Sequence, residues 1–506
     1  MNANHHKPGR RVRLGLLLAI CGLWLGSASA DPRFDKLGET AITTVSPDCA
    51  ELLGYDVSPL GNQVLYVGQL KSDTGHVAVW LNRTRIVPPC DSVPEYGFTS
   101  TGKPYCCLAR NGRWHVMFDR ALSKGFDEIV PDSAAGSRFL LSPFGDRIAF
   151  LARDGIWMTA VLNTRPGGLY TTVSDPLFGP RREFYHLAQK GNAWLLVTNG
   201  KEGKPYASIT DLALMPRTAE PLFLAIEKDR SFLVCGGREG RRWPQIIEVT
   251  FTPRDSVPAY VACDSTQWYI VEDTLIRVTE LGILLHSLRY RFGAREPVYV
   301  VIDAGFRSVL KTDSRPLSDA HLNVEHISIS PDGRHVVFQT ADSNVRQVWL
   351  DRTELKVATG ISSPVVFSPD SRRFAFVTAS DSGERVVSDR GASRLFDRVS
   401  ELQFSPDSGL LVFAARLAGS GFVVREDSEC RRYDAVGYLK FSPVTSRLAY
   451  LAVKDNSTQE VVNDIPGASY DDIGPTQFNP DGTRIAYPAR RGNDFFWVCE
   501  PVAGGR

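Results

Sequence analysis

The sequence predicts an all-β protein made of about twelve copies of one four-stranded sheet, each roughly 37 residues long. Three columns of residues that recur at this period predict it. They are a Ser-Pro turn, a residue suited to a tight hairpin, and an aromatic residue followed three places later by an aliphatic one. Because the three columns stay in register along the chain, a repeat architecture explains them better than chance does.

The Ser-Pro turn is clearest in the C-terminal part of the chain, where its copies follow one another at steps of 38, 37, 37 and 37 residues. Proline presets the backbone of the second turn position, and Asp or Gly suits the positions after it. The five copies are Ser330-Pro331, Ser368-Pro369, Ser405-Pro406, Ser442-Pro443 and the variant Asn479-Pro480. Alignment extends the turn towards the N-terminus at Ser58, Thr99, Ser142, Gly179, Met215, Thr252 and near Ser287.

One copy shows the content of the repeat. An apolar strand at residues 365–367 precedes the turn at Ser368, and a mostly buried strand at residues 374–377 follows it. Residues 385–388 are a third strand and residues 393–396 a fourth. Four strands of about five or six residues with short turns add up to roughly 37 residues. This is one blade of a β-propeller, whose sheets pack face to face around an axis.

The other two columns support the same register. About 21 residues after each turn stands the hairpin column, in which ten of the twelve residues are Asp, Asn or Gly, types that tolerate or favour tight turns. It consists of Asn82, Asp119, Asn163, Asn199, Gly236, Asp273, Asp303, Asp351, Asp389, Glu426, Asn463 and Glu500. The aromatic–aliphatic column consists of Phe126/Ile129, Tyr170/Val173, Tyr206/Ile209, Trp243/Ile246, Phe396/Val399, Tyr433/Val436 and Tyr470/Ile473.

The turn and the strand after it carry a family resemblance. Residues 329–334 are Ile-Ser-Pro-Asp-Gly-Arg, a Val-Val-Phe strand follows, and the segment resembles the WD-like repeat of TolB-type periplasmic propellers. It is also similar to the propeller half of dipeptidyl peptidase IV-type proteins, and residues 194–209 resemble a variant of the repeat in large bacterial propellers. The resemblance covers roughly residues 45–503 and implies a β-propeller with an envelope-associated assembly role. It assigns no partner-specific residue.

The number of repeats bears on the domain organisation. Twelve blades exceed the four to eight of a usual ring, so we expect two lobes of about six blades each. The repeat is weakest between about residues 275 and 322, which places the first lobe at residues 31–280 and the second at residues 281–506. A single wide or open ring is the alternative.

The last repeat lacks a fourth strand, because the chain ends six residues after Glu500. Propellers normally leave no open sheet edge, so the alternating residues 41–45 are expected to supply this strand. Cys49 and Cys499 would then lie near each other, and we expect a disulfide between them. Such a strand would join the first residues to the second lobe, which a single ring explains more simply.

Residues 1–30 are predicted to be an export signal. A basic start precedes an apolar stretch at residues 14–26, and a small-residue site suits cleavage after Ala30. We therefore expect a periplasmic or secreted protein with no membrane span in the mature chain. The general and twin-arginine export routes both remain open, and an uncleaved anchor or lipid attachment at Cys21 is the alternative.

Composition limits the partners and the chemistry. A net charge of +1 does not favour nucleic acid or acidic lipid. The nine cysteines include no C-x-x-C pair, so a zinc or redox site is not predicted. We expect a monomer that binds a protein or peptide partner and holds no cofactor.

No catalytic, cofactor-binding or metal-binding residues are predicted. The sequence contains neither a G-x-S-x-G elbow nor an H-E-x-x-H motif. His321 and His326 are five residues apart, which does not place both on one face of a strand. The aspartates that recur at the turn are expected to cap local backbone groups rather than bind a cation. They are Asp332, Asp370, Asp407 and Asp481.

These observations leave three functional classes. The first, which we expect, is an exported non-enzymatic scaffold that binds a protein or peptide partner in the periplasm or cell envelope through loops on a rigid frame. The alternative is an enzyme with its site in a propeller channel, of the metal-dependent lactonase or lyase type. The third is a structural domain without a small ligand.

Phe376→Ala is expected to destabilise the protein by about 3 kcal/mol or more, because the repeat places Phe376 in the core of its sheet. Urea or thermal unfolding of the variant and the parent measures the difference. Equal unfolding midpoints would contradict the assignment of this strand to the core.

Overall fold

A computed structural model describes residues 31–502 except residues 132–135, 254, 292–295, 344, 356 and 358. The described residues form strands, turns and loops and contain no helix. In this part of the chain, then, no helix has the length and apolar character needed to cross a membrane. The predicted export signal and its cleavage site after Ala30 lie outside the described residues and stay predictions.

The strands form twelve sheets that follow one another along the chain, and β1 (Gly38–Thr44) joins the last of them. Sheets 1 to 4 contain β2–β5 (Cys49–Val57, Val64–Leu70, Asp73–Leu81, Thr84–Arg85), β6–β9 (Ser92–Phe98, Pro104–Arg110, Arg113–Phe118, Ala121–Leu122), β10–β14 (Glu128–Val130, Leu140–Leu141, Ile148–Asp154, Trp157–Leu162, Arg165–Pro166) and β15–β18 (Thr172–Phe178, Phe184–Lys190, Ala193–Thr198, Lys201–Tyr206).

Sheets 5 to 8 continue the series with β19–β33. They contain β19–β22 (Ser208–Leu214, Pro221–Glu227, Arg230–Cys235, Arg238–Glu239), β23–β26 (Gln245–Phe251, Pro258–Cys263, Trp268–Glu272, Leu275–Glu280), β27–β29 (Arg289–Tyr290, Pro297–Ile302, Ser308–Thr312) and β30–β33 (Asn323–Ile329, Val336–Asp342, Val345–Leu350, Thr353–Leu355).

Sheets 9 to 12 complete it with β34–β49. They contain β34–β37 (Val366–Phe367, Phe374–Ser380, Gly383–Ser388, Gly391–Ala392), β38–β41 (Arg398–Phe404, Leu411–Leu417, Ser420–Arg425, Ser428–Glu429), β42–β45 (Ala435–Phe441, Leu448–Lys454, Ser457–Val462, Ile465–Tyr470) and, with β1, β46–β49 (Asp472–Ile473, Gln477–Phe478, Arg484–Arg491, Asp494–Pro501).

Three sheets depart from the four-stranded form. Sheets 3 and 12 have five strands because two short segments, β10 with β11 and β46 with β47, take the place of one first strand. Sheet 7 has three strands, and Pro316 pairs with Lys311 only as an isolated bridge. The predicted all-β propeller of about twelve four-stranded blades is confirmed.

The chain divides into two compact units. One contains Ile42–Gly191 and Leu196–Gly203, and the other contains Leu37–Ala41, Asn192–Leu195 and the chain from Lys204 onwards. The predicted division into lobes at residues 31–280 and 281–506 stays a prediction.

A buried aromatic residue anchors the core of ten sheets, as the third residue of the second strand in nine of them and as the fourth in sheet 12. Phe376, at this position in sheet 9, is 0% exposed. Burying such a ring is worth about 1.5–3 kcal/mol. The ten residues are Tyr66, Phe150, Phe223, Tyr260, Tyr299, Phe338, Phe376, Phe413, Tyr450 and Tyr487.

The hairpin column ties the end of the third strand to the start of the second. Nine of its twelve residues have φ between 47° and 58°, which Asn, Asp and Gly adopt most readily. In sheet 1 the Asn82 amide donates to the Val64 carbonyl (2.7 Å), and Asn82 Oδ1 accepts from the Val64 amide (2.9 Å). The same two-part contact is made by Asn163, Asn199, Asp351, Glu426 and Asn463.

In three other sheets only the backbone half of this contact is possible, because their second strands begin with proline, which has no amide hydrogen for a side chain to accept. The backbone bonds run from Asp119 to Pro104, from Gly236 to Pro221 and from Asp273 to Pro258, at 2.8–2.9 Å. Asp389 also makes only the backbone contact, to the Phe374 carbonyl (3.3 Å), although Phe374 has an amide hydrogen.

The aromatic residues of the aromatic–aliphatic column lie where one sheet ends and the next begins, and all seven are buried. In five cases the aromatic residue forms an isolated β-bridge with a residue at the start of the third strand of the preceding sheet. These bridges are Trp114–Phe126, Met158–Tyr170, Ser231–Trp243, Glu384–Phe396 and Gly421–Tyr433.

The Ser-Pro turn is closed by its own side chains. Ser330 Oγ accepts from the His335 amide (3.0 Å) and donates to Asp332 Oδ1 (2.6 Å), which in turn accepts from the Arg334 amide (3.0 Å). The Ser330 hydroxyl holds the pKa of Asp332 below its usual value. The same side-chain pair recurs as Ser368–Asp370 and Ser405–Asp407, while Asp481 accepts from Thr483. The aspartates cap local groups, as predicted.

The N-terminal strand completes the last sheet. β1 (Gly38–Thr44) pairs with β49 (Asp494–Pro501) at its outer edge. Glu39 accepts hydrogen bonds from the Tyr470 hydroxyl (2.7 Å) and from Arg491 Nη2 (3.0 Å). The predicted closing strand is therefore confirmed, although it spans Gly38–Thr44 rather than residues 41–45.

The predicted Cys49–Cys499 disulfide is wrong. Cys49 begins the first strand of sheet 1, and its thiol donates to the Glu51 carbonyl at 3.3 Å. Cys499 lies in β49 of sheet 12, opposite Ala486. The eight described cysteines form no disulfide. The prediction failed because the pairing of β1 with the last sheet does not determine where the Cys49 side chain points, since Cys49 follows that strand and begins the next one.

Sheet 4 has His186 at the core position that is aromatic in ten other sheets. The ring is 3% exposed, and neither nitrogen has a hydrogen-bond partner. It packs against Phe184 and Tyr170, with ring centroids 5.5 and 6.2 Å away. Burial lowers the pKa of His186 to about 4.

His186→Phe is expected to weaken the acid sensitivity of the protein. Because the folded state disfavours protonated His186, the parent loses stability as the pH falls from about 6.5 towards about 4, where the unfolded chain binds the proton first. The variant lacks this loss. Urea unfolding at several pH values measures both curves, and parallel curves would contradict the buried neutral histidine.

Candidate functional site

One charged residue occupies a position that is apolar elsewhere in the repeat. Glu460, in β44, pairs across the strands with Leu451, the residue after the aromatic anchor of sheet 11. The residues at the same register position of ten other sheets are all apolar. They are Val79, Val116, Ala160, Leu233, Ile270, Leu310, Val348, Val386, Val423 and Trp497. The fold therefore does not need a carboxyl group here.

The Glu460 side chain lies in the hydrophobic layer between sheets 11 and 12 and is 1% exposed. Its Oε2 accepts a hydrogen bond from Thr476 Oγ1 at 2.6 Å, whereas its Oε1 has no partner. Burial raises the pKa of Glu460 to about 8, although Thr476 opposes the shift. A buried group with so large a shift marks a candidate functional site.

A cavity of about 320 Å³ opens in the same layer. Gly474 and Pro475 line it where the first strand of sheet 12 is interrupted between β46 and β47. Two lining residues are direct neighbours of Glu460: Leu451 pairs with it, and Thr458 stands two positions before it on the same face of β44. The main apolar part of the wall consists of Val436, Leu451, Val453, Ile473 and Pro475.

Tyr438 stands at the rim of this cavity in a strained backbone conformation. It has φ 57° within a β-bulge of β42, and its side chain is 71% exposed. Glu401, in the first strand of sheet 10, holds the bulge by accepting from the amides of Tyr438 (3.0 Å) and Leu439 (2.6 Å). These two hydrogen bonds stabilise the bulge at Tyr438.

Similar bulges recur four residues before the turn in several sheets. The residue there has a positive φ at Asp175, Asp211, His326, Glu401 and Tyr438. In sheet 2 the residue at this position is Glu95, which has no positive φ. Like Glu401, it binds the next sheet: its carboxylate accepts from the Arg138 amide (2.8 Å). The glutamates join neighbouring sheets, whereas Tyr438 presents an aromatic ring to solvent.

A second cavity, of about 210 Å³, lies at the equivalent place between sheets 1 and 2. Gly54 stands there where sheet 11 has Tyr438, and Val79 stands where sheet 11 has Glu460. The repeat therefore makes this kind of cavity without an acid, and the carboxyl group is particular to sheet 11.

The sequence predicted no site residues, and Glu460 and Tyr438 were missed. Glu460 stands 18 residues after the turn at Ser442, and aligning that one column would have shown it as the charged exception. His321 and His326 are not brought together in one site, since His321 binds Asp342 (2.6 Å) and His326 lies exposed on a bulge. Among the residues described, no three His, Cys, Asp or Glu side chains are placed to hold a metal ion.

No protein-family model and no curated protein matches the chain. Solved structures do match. A eukaryotic initiation factor is 12% identical over 70% of this chain and 98% of its own, with a TM-score of 0.38. TolB from Acinetobacter baumannii is 14% identical over 48% and 76%, with a TM-score of 0.21. The Dos1 propeller is 11% identical over 92% and 95%, with a TM-score of 0.28.

At these identities and scores the likeness concerns the fold alone. The twelve sheets themselves, rather than these matches, carry the β-propeller assignment and confirm the predicted propeller repeat.

Glu460→Leu is expected to stabilise the empty protein by about 1–3 kcal/mol, because it replaces a buried, half-satisfied carboxyl group with the residue type of the other sheets. The gain should grow as the pH rises from about 5 to about 8, because the unfolded chain loses the Glu460 proton before the folded one does. Thermal and urea unfolding across this range measure it. A destabilised variant at every pH would show that the carboxyl group has a structural role.

Proposed function

We propose that this chain is an exported, non-enzymatic β-propeller scaffold that binds a protein or peptide partner in the periplasm or cell envelope. The export signal predicted at residues 1–30 supports the location. The turn aspartates and the bulge glutamates are used in capping and in joining sheets, so the recurring acidic residues serve the fold.

One observation carries the proposal: Tyr438 is held exposed, in a strained conformation, at the rim of an apolar cavity. The bulge recurs in other sheets, where the residue is Asp175, Asp211, His326 or Glu401, so the exposed aromatic ring rather than the strain is particular to sheet 11. Tyrosine is enriched at protein interfaces because it combines a large apolar area with a polar tip. A cavity beside it offers a pocket for one partner side chain.

The proposal is tested by capturing partners from an envelope extract with the mature protein, residues 31–506. Tyr438→Asn should reduce recovery of the captured partner by about tenfold or more, the effect expected of a central aromatic contact. Asparagine accepts a positive φ more readily than tyrosine, so the bulge and the stability should be retained. Unfolding measurements check this second point.

Phe306→Ala is the matched control, since Phe306 is 86% exposed, has φ 59° and lies in sheet 7, away from the cavity. Capture should survive this change. Equal losses in both variants would contradict a site at Tyr438. Absence of any partner, together with a tightly bound metal, would favour the alternative of a metal-dependent lactonase or lyase.

A further inference from the structure

The closing strand β1 contributes no buried side chain to the sheet that it completes. None of the seven residues of Gly38–Thr44 is buried, and the hydrophobic cluster of sheet 12 consists of residues from the range 451–502. In residues 31–44 Phe34 is the one buried side chain. Because the burial of apolar surface is the main favourable contribution to folding, β1 is held less firmly than the strands inside the sheet.

Two kinds of contact hold β1 at the edge of sheet 12. Its backbone pairs with β49, and the Glu39 carboxylate binds Tyr470 and Arg491. Glu39 Oε1 accepts from the Tyr470 hydroxyl (2.7 Å) and from Arg491 Nη2 (3.0 Å), and Oε2 accepts from Arg491 Nη1 (3.4 Å). The Tyr470 hydroxyl, followed by Arg491, holds the pKa of Glu39 below its usual value. One ionised side chain therefore fastens β1 to the rest of the sheet.

Tyr470 and Arg491 are kept in place by contacts that do not involve β1. The Arg491 guanidinium carbon lies 4.8 Å from the centroid of the Tyr470 ring and 5.6 Å from that of Phe496. Tyr470 is 3% exposed and belongs to the aromatic–aliphatic column. A cation stacked on aromatic rings in this way is already positioned for a carboxylate. Another carboxylate that reached this point would meet the same two donors.

The edge of β49 is covered in an unusual way. In ten sheets the fourth strand follows the third after a hairpin of two residues, which keeps it at its edge. Within the chain from residue 31 to residue 502, β1 is the one fourth strand that no such hairpin holds. The backbone groups along an uncovered edge are satisfied by another extended strand, whichever chain supplies it.

We infer that the edge of β49 is a binding site for an extended segment of the protein partner, which replaces β1 and places an acidic side chain on Arg491 and Tyr470. The inference rests on the proposed function in taking the segment from that partner. In the protein alone β1 occupies the site and acts as an internal competitor. The apparent affinity for the partner is therefore reduced by the fraction of molecules in which β1 is bound to β49.

The site is tested on the mature protein, residues 31–506, with a fluorescently labelled peptide of residues 37–45 as the probe. The peptide should bind Glu39→Ala about tenfold more tightly than the parent, because β1 of the variant loses its charge-assisted hydrogen bonds. Fluorescence anisotropy measures both affinities, and thermal unfolding checks that the variant stays folded. Equal affinities, or no binding to either protein, would overturn the inference.

A second peptide, carrying Glu39→Gln, tests the carboxylate. It should bind the Glu39→Ala protein about tenfold more weakly than the unchanged peptide does. Adding Arg491→Leu to this protein should abolish the difference between the two peptides. Adding Arg490→Leu instead is the matched control and should keep the difference, because Arg490 Nη1 donates to the Gly492 carbonyl. A difference that survives Arg491→Leu would overturn the role given to Arg491.

Partner capture distinguishes the failure of this inference from that of the proposed function. Glu39→Ala should raise the recovery of the partner, and adding Arg491→Leu should reverse the gain. Capture that is unchanged in both variants but lost in Tyr438→Asn contradicts only the strand site. Capture that is absent from the parent and from Glu39→Ala contradicts the scaffold, whatever the peptides show. A Glu39→Ala dimer that forms as the protein concentration rises would assign the edge to a second copy and overturn the role of the partner.

Discussion

The architecture depends on the contact between the hairpin column and the first residue of the second strand. The left-handed hairpin residue fixes where the third strand ends, and its hydrogen bonds fix which residue begins the second. Two residues further on, the same face of the strand carries the aromatic anchor, such as Tyr66 after Val64. A slip of one residue would turn this ring away from the core, so the contact sets the register of the sheet.

The repeat was predictable from sequence because its determinants are local: a Ser-Pro turn and a residue that tolerates positive φ act within a few positions of the chain. The closing strand followed from the rule against open edges. The disulfide failed because Cys49 lies beyond the shared strand, where its direction depends on the packing of sheet 1. Glu460 and the cavity depend on contacts between two sheets, which a pattern within one repeat does not contain.

Most residues of this chain suit the position that the repeat gives them, so a residue that does not suit its position is informative. His186 is a mild conflict, since an uncharged imidazole still fills an aromatic position. Glu460 is a stronger one, because a carboxyl group neither packs like valine nor finds partners for both oxygens. The strained Tyr438 lines the cavity beside which Glu460 is buried. Two departures from the repeat therefore occur in one part of the fold.

The last sheet also bears on when the chain can finish folding. Glu39 bonds to Tyr470 and Arg491, residues 431 and 452 positions away, so the two ends of the described chain meet in one sheet. Contacts of such sequence separation form late, because a long loop must close first. During synthesis β1 is made first, and it can pair with β49 only after nearly the whole chain has been made. A chain built in this way cannot complete its last sheet until its final strand, β49, has been made.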